Sequence, residues 1–284
     1  GRRYYGYICG AGDNCGKYAV GCGKMKTVLY KNRYWLITIA AALVFFWIWE
    51  LAARIIGAPA ILPTFTSTIA ALAGLFGTGT FYGAVFATLL RALAGFVIAF
   101  ILGTVLGITA GKYKALDSVM KPLNAFMRTV PVAAITLVLA IWVGSNILPS
   151  VIGVLLVFPV IYEQSRAATE DLPHSLEEVM DEAGASYPYR LVNVYLPMVL
   201  PQLLSGISAT FGMNLKAVIT AETLAYSLHS IGLQIYYAKA NFVFESPVLF
   251  AWVVAAVLIA VLIEALLKFL TNTIAARLSR SVTE

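Results

Sequence analysis

The stretch TVPVAAITLVLAIWVGSNILPSVIGVLLVFPVIY, residues 129–162, carries no charged side chain over its whole length. A membrane-crossing helix needs about 20 apolar residues, so this run is too long for one crossing and too short for a relaxed pair. The GSNILP segment at 144–149 offers the break, since Gly, Asn and Pro punctuate helices. Two spans meeting at a tight turn are therefore expected. The rest of the chain agrees. Of its 284 residues, 60% are hydrophobic and 12% charged, and the mean hydropathy is +0.84. Such a composition lies outside the range of soluble globular domains.

Other uncharged runs mark the remaining spans. Trp35 to Ile56 is a first, with Glu50 and Arg54 near its end, and 92–111 a second. Residues 191–215 give a fifth, and 246–263 open a sixth that continues to about Leu270. The fold class expected is all-α and polytopic, with about six transmembrane helices. No alternating strand pattern competes, which excludes a β-barrel reading.

Lys and Arg set the orientation. With the N-terminus inside, the inner segments 1–34, 112–121, 163–190 and the C-terminal tail hold Lys24, Lys26, Lys31, Arg33, Lys112, Lys114, Lys121, Arg166, Arg190, Arg277 and Arg280. The outer segments 57–80 and 144–149 hold none, and 223–246 holds only Lys239. Both termini are expected inside. The net charge of +6 then reads as a topology signal and requires no nucleic-acid partner.

Residues 1–24, GRRYYGYICGAGDNCGKYAVGCGK, differ from the rest: they are rich in Gly and Tyr and contain all three cysteines, Cys9, Cys15 and Cys22. C-x-x-C spacing is absent, so a metal site is not supported. The segment is expected to be an extension ahead of a single transmembrane domain at 25–284, in which Met25 opens a basic flank. A cleavable signal peptide fits poorly, because the first apolar run is too long for an h-region.

One polar region interrupts the oily chain. Six of the fourteen acidic residues fall between Glu170 and Glu182, and Gly184 follows at once. PHSLEEVMDEAG reads as a short helix, with Ser175 and Glu178 in capping-box spacing and Gly184 as its stop. Leu176, Val179, Met180 and Ala183 form one apolar stripe at i, i+3, i+4 and i+7, and Glu177, Glu178, Asp181 and Glu182 fill the other faces. Ser186 and Pro188 then start a second helix toward Leu196-Pro197. An acidic, amphipathic hairpin between spans four and five suits either a solvated loop or a docking face for a basic, partly apolar protein.

At these residues the chain resembles the binding-protein-dependent ABC importer permeases. Their cytoplasmic loop runs Glu, two small residues, three variable positions, Gly, then twelve residues before a Pro preceded by Leu. Glu178, Val179, Met180, Gly184, Leu196 and Pro197 stand at that spacing, with Val179 and Met180 in place of the two alanines, and Ala185 follows the glycine. LLRALAGFVIAFILGTVLGITAG, LNAFMRTVPVAAITLVLAIWVG, VITAETL and SIGLQIYYAKANF are similar to the nitrate/sulfonate/taurine branch. The resemblance implies a homodimeric membrane pair, two ATPase subunits that carry the ATP and Mg, and an extracytoplasmic substrate-binding protein. It also implies that the loop at about 170–195 is the coupling helix. Within that branch the solute is a sulfonate, taurine, nitrate or a similar small molecule, or a vitamin- or pyrimidine-type heterocycle.

Several further residues are candidates. Gly95, Ala99, Gly103, Gly107 and Gly111 recur every four residues, a small-residue ridge for close helix packing or for a sliding seam. Charges near spans are costly, so Arg91, Arg128, Lys216, Glu222 and Glu264 are singled out. Lys216 lies inside span five, where it meets an anionic solute or pairs with a carboxylate such as Glu222. Lys216, Glu222, Arg128, Met213 and Asn214 are the translocation-path candidates, while Glu222 and Glu264 also suit structural roles. Tyr226, Tyr236 and Tyr237 suit a membrane interface.

No catalytic or metal-ligating constellation appears around His174 and His229. There is no G-x-x-x-x-G-K-[ST], so ATP hydrolysis would come from another chain and this chain binds no cofactor of its own. The competing class is an ion-coupled secondary transporter using Glu222, Lys216 or Glu264, although no inverted repeat is evident.

Overall fold

The structure, a computed structural model, describes residues 37–281. The Gly/Tyr/Cys-rich segment 1–24 and the basic residues before position 37 lie outside these described residues. The chain divides into two units, one ending at Ala58 and one beginning at Pro59. The described part of the first unit is the helix α1 (Ile37–Ile56), long and apolar enough to cross a membrane. Within it Arg54 pairs with Glu50 one turn earlier at 2.8 Å.

The second unit is entirely helical among its described residues. Its elements are α2 (Phe65–Phe76), α3 (Gly79–Lys112), α4 (Lys114–Thr129), α5 (Val132–Leu139) and α6 (Leu148–Glu170). They are followed by α7 (His174–Glu182), α8 (Tyr187–Arg190), a π-helical turn at Leu191–Tyr195, α9 (Leu196–Ala225), α10 (Ile231–Ala240) and α11 (Phe242–Ser281). Side-chain caps set several starts. Thr64 accepts from the Ser67 amide at 3.2 Å, and Ser230 accepts from Leu233 at 2.9 Å. Each satisfies one of the orphan N–H groups of a first turn.

Among the described residues, five helices are long and apolar enough to cross a membrane, six if the bent α4–α5 pair counts as one. That pair corrects the expected third span. In place of a straight helix from residue 129, α4 and α5 meet at 96°. Pro131 explains the break, because the residue before a proline is pushed out of the helical region. Val130 accordingly sits at φ −71°, ψ 124°.

Two further boundaries shift. The outer segment 57–80, expected to be a loop, contains α2. The second span starts at Gly79 instead of 92, so α3 has 34 residues and is roughly 51 Å long at the usual rise. Arg91 is inside this helix, where its charge is neutralised, as described below.

The small-residue ridge is where α3 meets α6. A methyl added at Gly95 would lie 2.5 Å from the Ser150 carbonyl oxygen, at Gly107 2.5 Å from that of Tyr162, and at Gly111 2.7 Å from Thr169 Cβ. Gly103 is similarly tight against Ile161, and Ala99 is fully buried. The two backbones touch over this length, so the ridge is built into packing within the subunit. Such contact replaces hydrophobic burial as a source of cohesion where lipid is the solvent. The core beside it joins Phe96, Ile161, Tyr162, Leu203, Phe211 and Leu215.

Candidate functional site

The acidic hairpin is α7, a glycine turn and α8. The start of α7 differs from the capping-box reading: Pro173 holds the N-cap position and no side chain caps the helix. Proline supplies extended backbone there without a donor to satisfy. The end of α7 follows the sequence reading. Gly184 is left-handed at φ +60°, its amide donates to the Asp181 carbonyl at 3.0 Å, and the Ala185 amide donates to Met180 at 3.1 Å. These two bonds close a Schellman turn. A side chain at this φ costs roughly 1–2 kcal/mol.

Arg190 completes the turn. Its guanidinium donates to the carbonyls of Ala185 (2.7 Å) and Met180 (3.0 Å) and pairs with Asp181. A cation on the last carbonyls of α7 also complements the helix dipole.

The apolar stripe of α7 is divided. Met180 is buried and Leu176 is half-buried against the subunit's own core. Val179, at 62% exposure, faces out with Ala183, Glu178 and Glu182. The stripe therefore anchors α7 with one edge and leaves the other edge free, flanked by carboxylates. Two further bonds fix the hairpin to the end of α3. Lys112 pairs with Glu177, and the Tyr187 hydroxyl donates to Thr109 Oγ1 at 2.8 Å.

The second arm does not stop at Leu196-Pro197. α8, the π-helical turn and α9 form a continuous helix from Tyr187 to Ala225. Pro197 falls in the first turn of α9, where its missing N–H is absorbed by the wide turn before it. The second arm of the hairpin is thus the beginning of a membrane-crossing helix.

The Lys216–Glu222 pair, one of the two readings of Lys216, does not form. Glu222, fully buried, accepts from Arg91 at 3.0 Å, from Thr88 Oγ1 at 2.9 Å and from the Gly232 amide at 3.4 Å. Arg91 also donates to the Asn146 carbonyl (3.1 Å), Asn146 Oδ1 (3.2 Å) and the Leu228 carbonyl (2.7 Å). One arginine thus holds the α5–α6 and α9–α10 connections together. The second of these contains Tyr226 and His229 at positive φ. From the sequence alone Arg91 reads as a charge at the start of the second span. The signal available was its place as the lone charge in the run 55–111, which demands a partner.

Asn214 is also fully buried, donating to the Ala92 carbonyl at 2.8 Å between α3 and α9. Glu222 and Asn214 are thus interior braces, with no side chain at the surface of the subunit. Arg128 is exposed at the end of α4, and Met213 and Lys216 are exposed on α9. The outer tyrosines cluster: Tyr226 and Tyr236 meet edge-on at 4.4 Å. The neighbouring Tyr226 hydroxyl raises the Tyr236 phenol above its ordinary pKa. Among the described residues, no group of three or more His, Cys, Asp or Glu is arranged to hold a metal ion.

The model of the binding-protein-dependent transport system inner membrane component matches residues 103–284. The chain belongs to that family. This permease is 27% identical over 231 residues to a Bacillus subtilis protein named as an aliphatic sulfonates transport permease, covering 78% of this chain and 82% of that one. It is 26% identical over 226 residues to a formylaminopyrimidine transport permease of Halalkalibacterium halodurans, covering 79% and 89%. Among solved structures, a chain of the methionine ABC transporter MetNI, in an inward-facing conformation, superposes with a TM-score of 0.54. That match has 19% identity and covers 69% of this chain and 93% of the other, a likeness of fold. The permease is therefore a multi-pass, non-catalytic membrane subunit of an ABC importer, of the inner-membrane kind. The ion-coupled carrier reading gives way to it.

Proposed function

We propose that the permease works as a homodimer whose two hairpins each seat on a separate ATPase subunit, converting ATP-driven closure into opening of the solute path. The carrying observation is the continuous helical run from Tyr187 to Ala225, which joins the hairpin to a membrane-crossing span. A short helix with a free apolar edge and flanking carboxylates fits a groove with basic groups at its rim. Glu178 and Val179 meet the partner, while Met180, Leu176 and the Lys112–Glu177 pair hold the hairpin to its own subunit. The two substitutions in the family loop sort accordingly: Met180 fills the internal site, and Val179 enlarges the external one.

In this reading the hairpin end is cytoplasmic, both termini are inside, and ATP and Mg reside on the partner. A binding protein delivers a small solute from the other side. A sulfonate, taurine or nitrate is the class carried over, supported by the sulfonate permease among the relatives. A pyrimidine-type heterocycle is the second class, supported by the formylaminopyrimidine permease.

The test uses the complete transporter in proteoliposomes. Glu178→Arg and Val179→Asp both change exposed positions and leave the subunit core intact. Each should lower ATP-driven uptake at least about tenfold, equivalent to about 1.4 kcal/mol of lost contact, with normal membrane insertion. Normal uptake by both variants would refute the coupling role.

A further inference from the structure

Most membrane-depth surface of the second unit is hydrocarbon-like. On α3, for example, Val97, Ile101 and Val105 are exposed. α9 differs. Its exposed positions include Gln202, Ser205, Met213, Lys216 and Thr220, which fall on one side at spacings of three, four and seven to eight residues. Such a face is expensive against lipid tails, so it belongs against water or another polar surface.

Glycines on the flanks of this face admit polar groups from neighbouring helices. A methyl at Gly212 would come within 3.0 Å of Glu264 Oε2 on α11, and one at Gly206 within 3.0 Å of the Gln164 amide nitrogen on α6. The Gln164 Oε1 atom is buried there without a hydrogen-bond partner. Lys216 and Glu264 also line one cleft of about 310 Å³ between α9 and α11, whose other walls are Ile219, Val257, Ala260 and similar apolar groups. Among the described residues neither Lys216 nor Glu264 takes part in an ion pair, unlike Arg91, Lys112, Arg166 and Arg190. Two opposite charges on the walls of one mostly apolar cleft, neither of them in an ion pair, are complementary to a molecule that brings both counter-charges.

We infer that the polar face of α9, with Lys216 and Glu264 across the α9–α11 cleft, is a charge-selective wall of the solute path, matched to a small solute carrying both an anionic and a cationic group. It rests on the two-copy permease reading, which leaves a solvated path between the copies. Lys216 attracts the anionic end and Glu264 the cationic end. A simple anion gains from Lys216 what it loses at Glu264, so the wall favours a zwitterion over either single charge. Gln202, Ser205 and Thr220 supply neutral hydrogen bonds above and below the charged step.

The experiment needs no knowledge of the solute. In the assembled transporter, with Cys9, Cys15 and Cys22 changed to serine, Thr220→Cys places a thiol about one turn from Lys216. Its reaction is followed with two membrane-impermeant methanethiosulfonates, one bearing a sulfonate and one a trimethylammonium group. Thr220→Cys should react with both, while Val97→Cys on the lipid face of α3 reacts with neither. Adding Lys216→Gln should slow the sulfonate reagent about two- to threefold, and adding Glu264→Gln should slow the trimethylammonium reagent by a similar factor, as expected for one unit charge at short range in water. An unreactive Thr220→Cys in a transporter that still retains its ATPase would overturn the wall while leaving the permease reading intact. Rates unchanged by Lys216→Gln and Glu264→Gln would overturn the charge selection.

Discussion

Removing Arg91 should cost more stability than removing its buried partner, although burial alone argues the reverse. Glu222 is fully buried, while the Arg91 side chain retains 15% exposure. Glu222→Ala deletes the carboxylate and the three bonds it accepts, but Arg91 keeps its bonds to Asn146 and to the Leu228 carbonyl and Thr88 still accepts from the Ile231 amide, so no charge is left unpartnered and the cost is about 2–3 kcal/mol. Arg91→Ala leaves a buried carboxylate with only Thr88 and the Gly232 amide, and frees both connections that Arg91 holds. Stranding a buried charge costs about 3–5 kcal/mol. The double variant should cost about 1.5–3 kcal/mol less than the sum, because once both are gone no charge is stranded. Equilibrium unfolding of the purified permease, titrated with SDS in mixed micelles, measures all three. Costs that add to within about 0.5 kcal/mol, or a Glu222→Ala cost above that of Arg91→Ala, would show that the two residues do not act as one unit.

Gly107→Ala drives a methyl to 2.5 Å from the Tyr162 carbonyl and should destabilise by about 1–3 kcal/mol in the same titration, whereas Gly83→Ala, with open space around it, should be neutral or slightly stabilising. Gly184→Ala should cost about 1 kcal/mol from its left-handed backbone, and Gly184→Asn clearly less, read as thermal unfolding of the detergent-solubilised protein. Arg190→Gln should weaken the end of α7 by about 1–2 kcal/mol, seen as faster limited proteolysis between Ala183 and Ser186; an unchanged cleavage rate would remove Arg190 from the turn.

The parts of this fold legible in the sequence were those set by local rules. Uncharged runs marked the cores of the spans, Gly184 marked the turn it makes, and the four-residue recurrence from Gly95 to Gly111 marked a packing ridge. What was not legible depended on partners far apart in the chain. The second span appeared to begin after Arg91 only because Glu222, its counter-charge, lies 131 residues later. Lys216, one of whose two readings is a pair with Glu222, is near it in sequence but on an exposed face of α9, whereas Glu222 is buried. The stripe of α7 looked uniformly available because periodicity says which residues share a face, and not which edge of that face the rest of the subunit covers. Pro131 did carry a readable signal for the α4–α5 elbow, masked by the high apolarity on both sides of it.

The coupling claim is met most directly by isolating the full-length chain from its native membrane in mild detergent and identifying every partner by mass spectrometry. A P-loop ATPase at one copy per permease, lost with Glu178→Arg and Val179→Asp while the permease still pairs with itself, is the predicted result. Recovery of the permease alone, or an ATPase retained through both substitutions, would contradict the assignment of α7 as the contact through which the motor acts.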